Sequence, residues 1–182
     1  MGNVTVEVIV KDKNKIVAKV RKESDLILLN FANYLVAILV GTQELSSKTF
    51  SGFIDENGDS FEIIVGYNTN RFEYTQYFEG YLAIGEQSGT PTRNDYTMFD
   101  PNHIKFYVET EQVIEEDGRA TLVLSGSVTL DRDFTIREVG LFIQLKDSTG
   151  TIRRMLLLHD VLDTPLTVKA RQTITISYKF KF

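Results

Sequence analysis

With 182 residues and no cysteine, the chain is long enough to bury a full core and has no disulfide, thiolate metal site or cysteine nucleophile. Its formal net charge is -5, with 20 basic and 25 acidic residues interleaved, so no global field invites nucleic acid or an anionic membrane. The length fits one domain, expected over 1–182. MGNVTVEV opens directly on a strand pattern, with neither a secretory-signal pattern nor the Ser or Thr of a myristoylation site.

Val4, Val6, Val8 and Val10 alternate with polar and mixed positions, which predicts a strand with one apolar face. KDKNK is a turn with Asn14 as its expected left-handed residue, and Ile16, Ala18 and Val20 return, so 3–21 reads as a hairpin. Ser24 offers an N-cap, Asp25 suits a first turn, and the apolar run from Leu26 to Val40 stops at Gly41. That predicts one N-terminal apolar helix over about 25–40. The run of about 15 residues is short of the roughly 20 that span a bilayer, and it contains Asn30 and Asn33, so no membrane span is expected. A helix apolar nearly all round needs cover on most sides, and one sheet covers one side. Leu28, Phe31 and Leu35 are therefore candidate interface residues.

Phe50, Phe53, Phe61, Ile63 and Val65 flank DENGD, where Asn57-Gly58 predicts a type I′ hairpin. Asp55, Asn57 and Asp59 have calcium-loop spacing, but Ser60 and Gly66 break that pattern, so a plain hairpin is expected. Residues 67–81 are the most aromatic stretch, with Tyr67, Phe72, Tyr74, Tyr77, Phe78 and Tyr81. They suit a subunit interface, a sugar platform or cross-strand aromatic pairs. A strand ending at Ile84 leads into a long loop punctuated by Gly85, Gly89, Pro91 and Pro101, without a phosphate-loop signature.

Ile104, Phe106, Val108 and Ile114 predict the next strand, and Asp117-Gly118 a hairpin turn. Ala120, Leu122, Leu124, Val128 and Leu130 alternate with polar residues, with Gly126 as an expected bulge. In FTIREVGLFIQL the apolar phase slips between Ile136 and Val139, which requires a bulge near Arg137-Glu138. Glu138 then faces inward as a hydrogen-bond acceptor, and Glu138 and Gly140 are structural positions. After the KDSTG turn comes IRRMLLLHDVL, then one amphipathic strand from Leu166 to Phe182, about 50 Å if extended. The expected fold is mainly β, with about eight to ten strands in all: an antiparallel, jelly-roll-like β-sandwich over 46–182, with the hairpin and helix of 1–45 packed on or beside it.

No catalytic motif, cofactor fingerprint or pair of histidines at metal-ligand spacing appears. His159 and Asp160 are adjacent in a strand, so their side chains point to opposite faces. Glu109/Glu111 and Glu115/Glu116 have the residue types of a glycoside-hydrolysing pair, and nothing in the sequence separates such a pair from a solvated strand face. The chain is not expected to be an enzyme; an active site would need a concave cluster around Glu138, His103 or His159.

AIGEQSGTPTRNDYTMF resembles the "IGTG-small-TPP-x-x-D-T" loop of many virus tail-associated proteins. FTIREVGLF resembles their "ITEVGLF" strand, and LLLHDVL with PLTVKARQTITISYKFKF resembles their closing "LLAR-x-x-F-x-P-I-x-x-x-x-G-x-x-L-T-V-x-Y-x-I-x-F" pattern. The resemblance covers most of 80–182 and, more loosely, 1–45, where a strand hairpin precedes an apolar helix with Asn30. Residues 46–79 match no part of it, and Ala170-Arg171 replaces the usual Gly before the last strand. It implies a virion structural protein, a subunit of a tail, adaptor ring, baseplate or tail-fibre base, assembled in the host cytoplasm. The compact, cysteine-free chain is similar to tail or adaptor subunits of archaeal viruses, spindle-shaped ones included. The implied partners are further copies in a ring or other homo-oligomer, other virion proteins, and DNA passing through the assembly, with Arg153, Arg154, Lys169 and Arg171 as channel candidates. In such a ring the helix and the aromatic stretch, with Tyr74, Tyr77, Phe78 and Tyr81, would contact neighbours. The alternative reading is a lectin-like module in which Tyr74, Tyr77 and Tyr81 stack on sugar rings while Asn68, Asn70 and Asp95 bond hydroxyls.

Overall fold

In the computed structural model of the chain the described residues are 4–24, 28–41, 48–68, 71–73, 79–116 and 118–182. The protein is mainly β, with antiparallel sheets and one short helix. The elements are β1 (Val4–Asp12), β2 (Lys15–Glu23), α1 (Leu29–Gly41), β3 (Lys48–Ile54), β4 (Ser60–Asn68), β5 (Arg71–Glu73), β6 (Glu79–Gly85), β7 (Ile104–Tyr107), β8 (Thr110–Glu116), β9 (Arg119–Thr129), β10 (Phe134–Lys146), β11 (Ile152–Val168) and β12 (Thr173–Lys181). They form a five-stranded sheet β2-β1-β12-β9-β8, a four-stranded sheet β11-β10-β6-β7 and a three-stranded sheet β3-β4-β5.

The alternation of β1 settles its place. Val4, Val6, Val8 and Val10 are buried and pair across the ladder with Phe180, Tyr178, Ile176 and Ile174, which are buried as well. These residues join Leu82 and Ile84 of β6, Leu141 and Ile143 of β10, and Phe53, Ile63 and Ala37 in one hydrophobic cluster. The inner faces of all three sheets and one side of α1 thus share a core.

Two turns differ from expectation. In the β1–β2 turn the left-handed residue is Lys13, at φ 55°, and not Asn14. Positive φ at the first central residue alone is the II′ pattern, which suits the twist of the strands as well as I′ does. The DENGD hairpin is not a two-residue I′ turn. The Gly58 amide bonds the Asp55 carbonyl at 3.0 Å, the Asp55 amide bonds the Asp59 carbonyl at 3.0 Å, and Gly58 lies at φ 88°. That is a type I turn closed by a left-handed glycine.

Three longer expectations give way to tertiary context. The stretch 104–114 is two strands in two sheets: the Val108 amide bonds Gly80 of β6 at 2.9 Å and the Glu109 amide bonds Ser125 of β9 at 2.8 Å. Gly126 is no bulge, since β9 pairs with β12 without a break. A Cβ there would meet the Tyr107 carbonyl oxygen, so glycine permits the approach of β7. The single strand expected over 166–182 is broken at 169–172. Leu166 and Val168 end β11, the Arg171 amide bonds the Leu130 carbonyl at 2.7 Å, and β12 begins in the other sheet. Arg171 lies at φ 69°, the left-handed region that favours glycine.

Helix α1 begins at Leu29, later than expected, and residues 25–27 lie outside the described ones. Ser24 does not cap it, because its hydroxyl donates to Asp160 at 3.1 Å. The Leu28 carbonyl takes the cap role, accepting from the Phe31 and Ala32 amides at 3.1 and 3.2 Å. The two amides inside the apolar run dock the helix on β3. Asn30 donates to the Ile54 carbonyl at 2.8 Å and accepts the Ile54 amide at 3.1 Å; Asn33 donates to the Gly52 carbonyl at 2.8 Å. No helix among the described residues is long and apolar enough to cross a membrane.

Candidate functional site

The β10–β11 register breaks between Ile136 and Glu138, where residues 162–165 of β11 stand unpaired opposite Arg137. Pro165 falls in that stretch, where its missing amide costs no ladder bond. The break turns Glu138 inward, and its side chain is fully buried. Glu138 Oε1 accepts the Asp100 amide at 2.7 Å, and Oε2 accepts the Phe99 amide at 3.0 Å and pairs with His159 Nε2 at 2.7 Å. His159 Nδ1 meets Asp95 Oδ2 at 3.0 Å, and its ring lies 4.7 Å from that of Phe99. Gly85 faces Glu138 across the β6–β10 ladder, where a Cβ would come within 2.8 Å of Glu138 Cγ. This node ties the irregular stretch 86–103 to the sheet.

Burial opposes a charge on His159, but the carboxylates of Glu138 and Asp95 outweigh it and hold the imidazole above its ordinary value. A protonated ring can donate to both. With both ring nitrogens occupied and three donors on Glu138, neither group has a free position for a substrate proton. Asp160 points to the opposite face, where it accepts from Ser24 and Tyr178, each at 3.1 Å, and burial pushes its carboxyl up. His103 is placed elsewhere, with Nδ1 2.7 Å from the Asp100 carbonyl and its ring stacked on Phe142. Among the described residues no cluster of His, Asp or Glu is placed to hold a metal ion.

Arg153 is also committed internally. It reaches Asp55 at 2.9 Å and Asp147 at 3.0 Å, joining the β3–β4 and β10–β11 turns. Both turns have one design: the leading Asp accepts the amides two and four residues on, and a glycine follows at φ 88° or 85°. Burial works to raise both carboxyls, but the turn donors and Arg153 outweigh it, leaving Asp55 below its ordinary value and Asp147 at about 2.

No family model, curated protein or solved structure matches the chain.

The expected recognition residues scatter. Tyr81 is half-buried, its hydroxyl donates to Glu79, and its ring lies 4.8 Å from that of Tyr107. Asp95 is held by His159 and Thr92. Asn68 pairs with Arg71 at the end of β4. Tyr74, Tyr77, Phe78 and Asn70 lie outside the described residues. Among the interface candidates Leu28 proves to be core, packed with Ala83, Met98, Phe142 and Leu156, because it precedes the helix and turns inward. Phe31 packs on Phe180 at 5.9 Å between ring centroids. Leu35 is exposed, beside Leu29, Ala32 and Val36 on one stripe of α1. Leu35 also lines an apolar groove of about 480 Å³ with Phe31, Tyr34, Leu122, Leu124 and Phe182.

The sequence singled out Glu138 and offered Asp95 only as a sugar-binding residue, while Asp100 escaped it because it sits in a loop without periodicity. The Asp-x-x-Gly pattern shared by DENGD and DSTG was a visible sign of the two turns that Arg153 joins.

Proposed function

We propose that the chain is a non-enzymatic structural protein of a virion, a subunit of an oligomeric tail, adaptor or baseplate assembly. The observation that carries this reading is the exposed apolar stripe of α1, continuous at Leu35 with the apolar groove. In water such a surface is costly, and a second copy of the chain would bury it. The five- and four-stranded sheets are read with it as the two layers of a jelly-roll-like sandwich.

The resemblance to tail-associated proteins gains a physical rationale from the Glu138 node. Its three matching segments contribute Gly85, Asp95 and Phe99, then Glu138, then His159 to one cluster. The lectin alternative gains no such support, since Tyr81 and Asp95 spend their polar atoms within the chain. Detecting peptides of this chain in gradient-purified particles, together with closed assemblies of the purified chain by electron microscopy, is the expected result. Absence from particles, with a dispersed chain that binds immobilised glycans, would overturn it.

A further inference from the structure

Among the described residues the five-stranded sheet has β2 and β8 as its edge strands, and their sequences are of opposite sign. KIVAKVRKE of β2 carries four basic residues against one acidic, and TEQVIEE of β8 carries three acidic residues and no basic one. Each edge also exposes apolar side chains between its charges. Ile16 is 52% and Val17 48% exposed between Lys15 and Lys19; Val113 is 71% exposed between Glu111 and Glu115. Among the described residues no ion pair engages Glu111 or Glu115.

The charges leave opposite faces of the sheet. Glu111 and Val113 stand opposite Leu124 and Leu122, which pack on the core, so they lie on the inner face. Glu111 reaches the rim of the apolar groove beside α1. Lys19 and Arg21 stand opposite Ile9 and Glu7, the outward alternates of buried Val8 and Val10.

We propose that the outer face of β2 in one copy laps over the inner face of β8 in the next, so that copies associate head to tail through these two edges. This rests on the assembly reading and deepens it by naming the two surfaces. Ile16 and Val17 meet Val113 and the groove, while Lys19 and Arg21 meet Glu111 and Glu115 and Lys15, at the turn end opposite Asp12, adds to the charge of the edge. Pairing β2 with β2, or β8 with β8, would set like charges together, so a two-fold edge dimer is disfavoured. A head-to-tail contact closes into a ring when its rotation divides the circle.

Two double variants test this by sedimentation velocity: Lys15→Glu with Arg21→Glu, and Glu111→Lys with Glu115→Lys. Lys19 is left alone because it pairs with Glu7 at 2.8 Å. Each variant is expected to weaken self-association about tenfold or more at low salt. An equimolar mixture restores it, because one chain then has two acidic edges and the other two basic ones. Added salt alone should weaken the wild-type assembly. A wild-type assembly indifferent to salt and to both reversals, or folded variants that stay dispersed on mixing, would overturn the edge contact and leave the assembly reading standing. A wild-type monomer at every concentration would overturn both.

Discussion

Glu138 and His159 meet at 2.7 Å between β10 and β11 with both side chains fully buried. The pair is not isolated, because Asp95 holds the other ring nitrogen and two backbone amides fill the carboxylate. The imidazole's folded pKa lies above its ordinary 6.5. The stabilisation from protonating it is therefore complete below 6.5 and lost as pH rises through the raised folded value. Melting temperature should fall as pH rises through that window, and Glu138→Gln should move the His159 ring titration, followed by NMR, to lower pH. Glu138→Ala, which strands a buried cation and two amides, should cost about 3–5 kcal/mol in urea unfolding. A flat pH profile together with an unchanged titration in Glu138→Gln would contradict the charged node.

Asn30 substitutes for a strand peptide, giving Ile54 both a donor and an acceptor. Asn30→Leu keeps the number and branching of the side-chain heavy atoms and removes these bonds, leaving groups that cost about 1–3 kcal/mol each when buried unpaired. Asn33→Leu should cost less, because its single bond to Gly52 is exposed. Urea titrations that rank the two the other way would show that the helix is held by its apolar contacts alone.

Asp147 is held at about 2 against an ordinary 3.8, by turn donors and Arg153 acting against burial. A depressed carboxylate contributes stability above 3.8 that is lost as pH falls towards 2. Acid unfolding should therefore steepen in that window. Asp147→Asn should reduce the steepening, leaving the share of Asp55, and lower stability at neutral pH by about 1–3 kcal/mol. Circular dichroism against pH reads both effects.

Arg171 sits at φ 69° in the turn between the sheets, with an exposed side chain. Glycine carries no Cβ penalty there, so Arg171→Gly should stabilise the protein by about 0.5–1 kcal/mol despite the freer unfolded chain. A lower melting temperature would mean that the arginine makes contacts outweighing its backbone strain.

These sites also mark what could be read from the chain. The β1 and β12 alternations gave their buried faces directly, because each strand stays in one sheet. The phase slip at Ile136–Val139 located the break that buries Glu138. The sheet change at 169–172 was hidden because both large sheets present their inner faces to the same core, so the inward phase of Leu166 and Val168 runs on into Ile174 and Ile176. The change at 108–109 was hidden because Ile114, which stands opposite Thr121 on the outer face, keeps the even spacing of Ile104, Phe106 and Val108 although the inward phase has shifted to Glu111 and Val113. Leu28 counted as helix surface because its apolar run carries no sign of where the helix begins. The partners of Glu138 come from a loop, and only packing brings Asp95 and Phe99 beneath His159.

In the proposed assembly the apolar surface at Leu35 is buried between copies of the chain. Light scattering over a concentration series, for wild type and Leu35→Asp, reads that burial as a mass. The expected result is a multi-subunit wild-type mass that falls towards the monomer in Leu35→Asp, with the circular dichroism spectrum and melt retained. A wild-type mass of one chain throughout, or a folded Leu35→Asp that assembles as wild type does, would contradict it.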